Sequence, residues 1–165
     1  MKPEIRLRPE RPEDREFVFS VYASTRTQEL SRVPWSADQK EAFLRMQFEL
    51  QAKHYHEHYA DAAYQLVLLR DRPIGRLYVH RGTDQILVID IALLPEYRGA
   101  GIGGQVMKEL LLEAAADRKP VRIHVEWENP ALRLYKRLGF QLLENSGVYY
   151  LMEWKVESAS ACAAE

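Results

Sequence analysis

Residues Arg98-Gly99-Ala100-Gly101-Ile102-Gly103-Gly104 hold four glycines in seven positions. They lie between an apolar segment, Ile86 to Leu94, and an amphipathic one that starts at Ile102. A glycine-rich turn from strand to helix leaves backbone N–H groups pointing outward. Together with the positive end of the helix dipole, those donors make an anion site. Glycine takes positive φ and lets a phosphate approach without meeting a Cβ, and Arg98 adds a permanent positive charge. The chemistry therefore begins with a phosphorylated ligand. The spacing Gly99-x-Gly101-x-Gly103-Gly104 is not the G-x-G-x-x-G of a dinucleotide site, and the strands before it do not arrive as βαβ units.

A second set lies downstream. Along Val121 to Trp127, period-two alternation puts Ile123, Val125 and Trp127 on one face and Arg122, His124 and Glu126 on the other. A central strand carries such a polar stripe where it meets a cleft. Imidazole has the right intrinsic acidity for a base near neutrality, so His124 is the first candidate base and Glu126 the alternate. Asp90 interrupts the apolar run Ile86 to Leu94. A buried carboxylate needs a partner, and Arg122, His124 or water are the candidates. His54, His56 and His58 cluster near one helix end. The pair His54 and His58 has metal-ligand spacing but no third ligand, so a solvated helix end is expected and no metal.

The elements that must position these groups follow from pattern. Ile5 to Arg8 alternates as a strand, and Pro12-Glu13-Asp14 starts a helix. Ser36 and Gln39 form a capping box for a second helix from Ala37 to about His58. Tyr64 to Arg70, Ile74 to Arg81 and Ile86 to Leu94 read as three strands of an antiparallel meander, with turns at Asp71-Arg72-Pro73 and Gly82-Thr83-Asp84. Ile102, Val106, Leu110 and Ala114 give the third helix its apolar stripe. Asn129 as N-cap and Pro130 at the first position start the fourth helix, which Gly139 ends. Phe140 to Leu143 and Val148 to Lys155 close a hairpin around Asn145-Ser146-Gly147.

The chain has 165 residues, of which 47% are apolar, and a net charge of −1. That is enough for one domain, 1–156, with a short tail, 157–165. No basic run favours nucleic acid, no apolar run is long enough for a membrane span, and the only cysteine, Cys162, has no partner for a disulfide. With no leader-like segment at Met1 to Pro12, a cytoplasmic protein is expected, as monomer or homodimer.

The block Asp90 to Gly103, with Arg98, Gly101 and Gly103 in place, resembles the signature of the GNAT superfamily of acyl-CoA-dependent N-acyltransferases. The second block, Asn129-Pro130-Ala131-Leu132-Arg133-Leu134-Tyr135 with Leu138-Gly139-Phe140, agrees, and the likeness covers Ile5 to Trp154. It implies an α/β fold, an α+β three-layer arrangement with a mixed, mainly antiparallel sheet of about seven strands flanked by four helices. It implies acetyl-CoA as co-substrate, with the pyrophosphate on the N–H groups of Gly99, Ala100, Gly101, Ile102, Gly103 and Gly104. The pantetheine would pair with the backbone of Ile91, Ala92 and Leu93 where two strands separate, and a donor near Leu93 would polarise the thioester. Asn129 and Tyr135 would line the opposite side. Tyr135 stands where the family commonly has its general acid, and His124 where some members carry a glutamate base. Leu87 occupies the family's other base position. Tyr22, Arg26, Glu29, Trp35, Tyr149 and Tyr150 would build the acceptor side. The implied function is N-acetylation of a primary amine of a small molecule, amino-acid-like compound or peptide. The alternative is an acyl-CoA-binding regulator without turnover.

Overall fold

In the computed structural model, residues 2–156 are described, so the tail 157–165 and Cys162 lie outside the described residues. The strands are β1 (Ile5–Pro9), β2 (Ala63–Leu69), β3 (Arg72–Arg81), β4 (Ile86–Leu93), β5 (Val121–Glu126), β6 (Gln141–Asn145) and β7 (Tyr149–Trp154). The helices are α1 (Arg15–Ser24), the one-turn α2 (Thr27–Leu30), α3 (Ala37–His58), α4 (Ile102–Asp117) and α5 (Leu132–Arg137). The strands form one seven-stranded sheet in the order β1-β2-β3-β4-β5-β7-β6. β1 and β2 are antiparallel, β4 and β5 parallel, and β7 is antiparallel to both β5 and β6. The mixed sheet is as expected; α2 is one helical segment more than the four foreseen. Among the described residues no helix is long and apolar enough to cross a membrane.

The described residues form two compact units, 2–77 with Ile91–Arg98, and Tyr78–Asp90 with 99–156. In the first, Val18, Val21 and Tyr22 of α1 are buried, and so are Phe48 of α3, Leu66 and Val67 of β2, and Ile74 of β3. The rings of Phe19 and Tyr22 lie 5.5 and 5.6 Å from Phe48. α3 begins as foreseen: Ser36 Oγ accepts from the Gln39 N–H at 3.2 Å and Gln39 Oε1 from the Ser36 N–H at 2.9 Å. The β2–β3 turn sits earlier than expected. Arg70 and Asp71 both take positive φ, 49° and 68°, which is the type I′ geometry that matches strand twist. Pro73 therefore lies inside β3, near its start, where a missing N–H is tolerated.

Asp14 is buried beside Arg8, which donates to both carboxylate oxygens at 2.7 and 2.9 Å, while the Arg11 N–H donates at 2.8 Å. The Arg8 hydrogen bond holds the Asp14 carboxyl below the usual range against the opposing effect of burial. A lowered folded-state pKa stabilises the fold above the unfolded value and is lost as pH falls through the folded one. Asp14→Asn is expected to cost about 1–3 kcal/mol at neutral pH. The gap in melting temperature between variant and wild type should narrow as pH falls below about 4, and a melting series against pH reads this out.

In the second unit, Val79, Ile86, Val88, Val121, Ile123 and Val125 are buried on the strands. On α4 the stripe Ile102, Val106, Leu110 and Ala114 is buried as its four-residue spacing requires. Trp127, expected on the buried face of β5, lies past the strand end and is 53% exposed. The pairing of β4 with β5 covers Ile86–Val88 against Val121–Ile123 and stops there.

Candidate active site

The glycine loop has the backbone that its sequence demands. Gly99 and Gly101 take φ of 76° and 83°, and a Cβ placed on either would meet nothing within 4 Å. These two positions combine left-handed backbone with open space. Helix α4 starts immediately after, its Gln105 N–H donating to the Gly101 carbonyl at 3.0 Å. The N–H groups of the first turn, including Ile102, Gly103 and Gly104, have no intrahelical acceptor. Seen from its own geometry the loop fits an anion.

The later glycines have a different role. A Cβ on Gly104 would sit 3.3 Å from Leu134 Cδ1, and one on Gly103 would sit 3.7 Å from Leu134 Cδ2. Gly104 is buried. These two residues seat Leu134 of α5 against α4, which places the neighbouring Tyr135. In the first unit, Arg98 donates from Nε to the Leu93 carbonyl at 2.9 Å and from Nη2 to Ser24 Oγ at 3.2 Å. Here the guanidinium ties the end of β4. Ile91 and Ala92 on the same strand are half-buried.

Asn129 does not cap α5 directly. Its side chain accepts from the Ala131 N–H at 2.9 Å, bracing a turn, and the helix begins at Leu132. This is an Asx turn, which places the helix start beyond Pro130. The far end is as expected. Gly139, φ 103°, stops the helix, with the Phe140 N–H reaching the Tyr135 carbonyl at 3.0 Å and the Gly139 N–H the Lys136 carbonyl at 3.1 Å. Tyr135 is thus held at both ends of a six-residue helix, 4% exposed, its ring 5.8 Å from Phe140. Burial, and after it the charge of Asp90, push its hydroxyl well above the ordinary tyrosine range.

His124 stands on the exposed face of β5, alternating with buried Ile123 and Val125. It lines a cavity of about 400 Å³ with Glu144, Ser146, Tyr149 and Leu151. Tyr135 is buried and is not among the described residues that line this cavity. Glu126 is half-buried at the end of the same strand face. For Asp90 the sequence left water, Arg122 or His124 open as partners. Arg122 donates to Glu153 at 2.8 Å, and Lys155 reaches the other Glu153 oxygen at 3.3 Å. Glu153 is buried, which pushes its carboxyl up, but its two cations bring it below the usual range. That pair joins neighbouring strands from distant parts of the sequence and leaves no local signature.

The expected acceptor residues separate by unit. In the first, Tyr22 is buried, Arg26 lies over its ring at 5.7 Å and pairs with Glu29 at 3.3 Å, and Trp35 stands 41% exposed against Phe43. In the second, Tyr149 opens onto the cavity and Tyr150 is half-buried. Sequence reasoning missed Gly75. A Cβ there would lie 2.3 Å from the Ala92 carbonyl oxygen and 2.7 Å from Leu93 Cδ2. A lone glycine in a strand is the only trace of such a close approach.

Comparison with known proteins agrees with this geometry. Residues 55–142 match the model of the acetyltransferase (GNAT) domain. A Bacillus subtilis protein named as a ribosomal protein bS18 alanine N-acetyltransferase is 30% identical over 148 residues, 86% of this chain and 83% of the relative. The chain belongs to the GNAT acetyltransferase family. A bovine GNAT relative, thialysine N-epsilon-acetyltransferase, is 34% identical over 83 residues, 48% of each protein, so the matched stretch spans about half the length of that relative. The crystal structure of the PaiA N-acetyltransferase of Thermoplasma acidophilum, in complex with coenzyme A, superposes with a TM-score of 0.69. It is 19% identical, over 92% of this chain and 99% of that one, and shares the fold. As a GNAT protein this chain is an acyl-CoA-dependent N-acetyltransferase with acetyl-CoA as co-substrate.

Proposed function

We propose that this GNAT protein acetylates a primary amine of a small molecule, an amino-acid-like compound or a peptide. In this reading the amides of residues 99–104 receive the pyrophosphate of acetyl-CoA, and Tyr135 attends the leaving sulfur. The roles of Ile91, Ala92 and Leu93 towards pantetheine and of Asn129 beside it rest on the family resemblance. The observation that carries the reading is the open left-handed loop at Gly99 and Gly101 running into α4, with Leu134 seated on the next two glycines beside Tyr135. The bovine and Bacillus subtilis relatives differ in acceptor, a thialysine amine and an alanine amine by their names, so family membership leaves the acceptor open.

Acetyl transfer forms a carbon–nitrogen bond and breaks a carbon–sulfur bond, and the surplus amine proton ends on sulfur. An alkyl ammonium with a pKa of about 10.4 must first lose a proton, at about 4.6 kcal/mol at pH 7. His124, or Glu126 on the same strand face, is the proposed acceptor of that proton, directly or through water. The thiol formed has a pKa of about 8.5. Tyr135 holds its own proton more tightly than an ordinary tyrosine. Full release to the thiolate would therefore be uphill, and its role is to donate a hydrogen bond that stabilises the developing charge.

The test is release of free thiol from acetyl-CoA in the presence of pooled amines, amino acids and short peptides. Tyr135→Phe is expected to lower kcat about tenfold or more while CoA affinity stays near wild type. Wild-type turnover in that variant returns Tyr135 to a packing role. A thermal shift with CoA and no thiol release on any acceptor favours the regulator.

A further inference from the structure

The cavity beside His124 has a cross-strand order that the sequence alone conceals. His124 of β5 is opposite Leu151 of β7, and Leu151 is opposite Glu144 of β6. Directly opposed residues in a sheet project to the same face, so the three form one row. Glu144 belongs to that row only because the β6–β7 register shifts between Leu142 and Glu144. Leu142 is opposite Met152, and Leu143 is the extra residue. Without the bulge, Leu143 would take the place opposite Leu151 and Glu144 would project to the other face, since one residue of slip inverts every side chain. A bulge re-aims a side chain; here it brings a carboxylate into the cavity in place of a leucine.

One neighbouring row carries the same sign. Glu126 is opposite Tyr149, whose half-exposed ring forms another part of the wall. On the other side Arg122 is opposite Glu153 and bound to it. Ser146 is committed to the turn, its Oγ donating to the Tyr149 carbonyl and accepting from the Tyr149 N–H. Among the described residues none that lines the cavity is a lysine or arginine. What faces its interior is an imidazole, a carboxylate, an aromatic ring and Leu151.

We infer that Glu144 is a specificity residue and that this cavity receives an acceptor with a second, non-reacting cationic group, a diamine or lysine-like molecule. The inference rests on the proposed amine acetylation and adds the charge of the acceptor's far end. The carboxylate pairs with the distant ammonium, the Tyr149 ring offers its face to the same charge, and Leu151 takes the methylene chain. An acceptor ending in a carboxylate would meet Glu144 as a like charge.

Three acceptors of one length isolate the far end: 1,4-diaminobutane, n-butylamine and 4-aminobutyrate. Thiol release from acetyl-CoA should give kcat/KM highest for the diamine, about tenfold lower for butylamine, and lower again for aminobutyrate. Glu144→Gln should collapse the diamine-to-butylamine ratio towards one, through KM rather than kcat. Glu144 is on an exposed strand position, and a melting curve verifies that the variant folds. Isothermal titration of the same three molecules into the CoA-loaded wild type gives the order of affinity without any variant. Equal kcat/KM for the three, or an unchanged ratio in Glu144→Gln, overturns the assignment while leaving amine acetylation intact. No thiol release with any of them, joined to equal or absent binding, overturns both.

Discussion

Gly101→Val should weaken coenzyme A binding about 30- to 100-fold in a protein that still folds. Two causes add. Gly101 has φ of 83° and ψ of 3°, which costs an L residue about 1–2 kcal/mol and a β-branched one more. The variant escapes that strain by relaxing the loop, which turns the amides away from their common focus. In addition, the space that a side chain would fill is open now and is where the phosphates are proposed to sit. Each 1.4 kcal/mol is tenfold in affinity. Gly101→Ala separates the causes, since it carries the backbone strain with little bulk and should lose less. Isothermal titration with CoA, beside a melting curve, measures both. Unchanged affinity in the valine variant removes the pyrophosphate from this loop.

Gly75→Ala is the second large effect, and it is expected in stability first. The new Cβ would lie 2.3 Å from the Ala92 carbonyl oxygen and 3.0 Å from Leu93 Cα. Both are backbone, so no side-chain rotation relieves the contact. Overpacking of this kind costs about 3 kcal/mol, or about 6–12 °C in melting temperature for a chain of this size. The variant also pushes on the stretch of β4 where pantetheine is proposed to pair, so the KM for acetyl-CoA should rise in the fraction that remains folded. A melting temperature within a degree of wild type would mean that β3 and β4 are further apart than the structure has them.

These two glycines show how far the sequence reads. Gly101 was legible because it lies in a dense run of glycines between a strand and a helix, a local pattern that marks an anion-binding turn. Gly75 was not, because its meaning depends on which strand lies beside it. The same division holds elsewhere. The α3 cap is local, Ser36 to Gln39, and was placed to the residue. The α5 start was misplaced because an asparagine side chain can brace a turn as readily as a helix, and here it does the former. Arg8 with Asp14 and Arg122 with Glu153 pair charges that only the folded chain brings together. His124 was correctly put on the polar face of β5, but the residues around it come from the hairpin after α5. Their approach depends on a bulge that no turn or propensity rule marks.

The seating of Leu134 on Gly103 and Gly104 bears on any saturation mutagenesis of this loop. Intolerance at residues 99 and 101 would report backbone handedness and ligand access. Intolerance at 104 to any side chain, and at 103 to those longer than alanine, would report the fit between two helices, and there a cofactor could not rescue a larger side chain. A compensating Leu134→Ala could, because it vacates the volume that the new side chain needs. The four glycines would thus look alike in a one-at-a-time scan and divide into two classes only when second-site suppressors are sought.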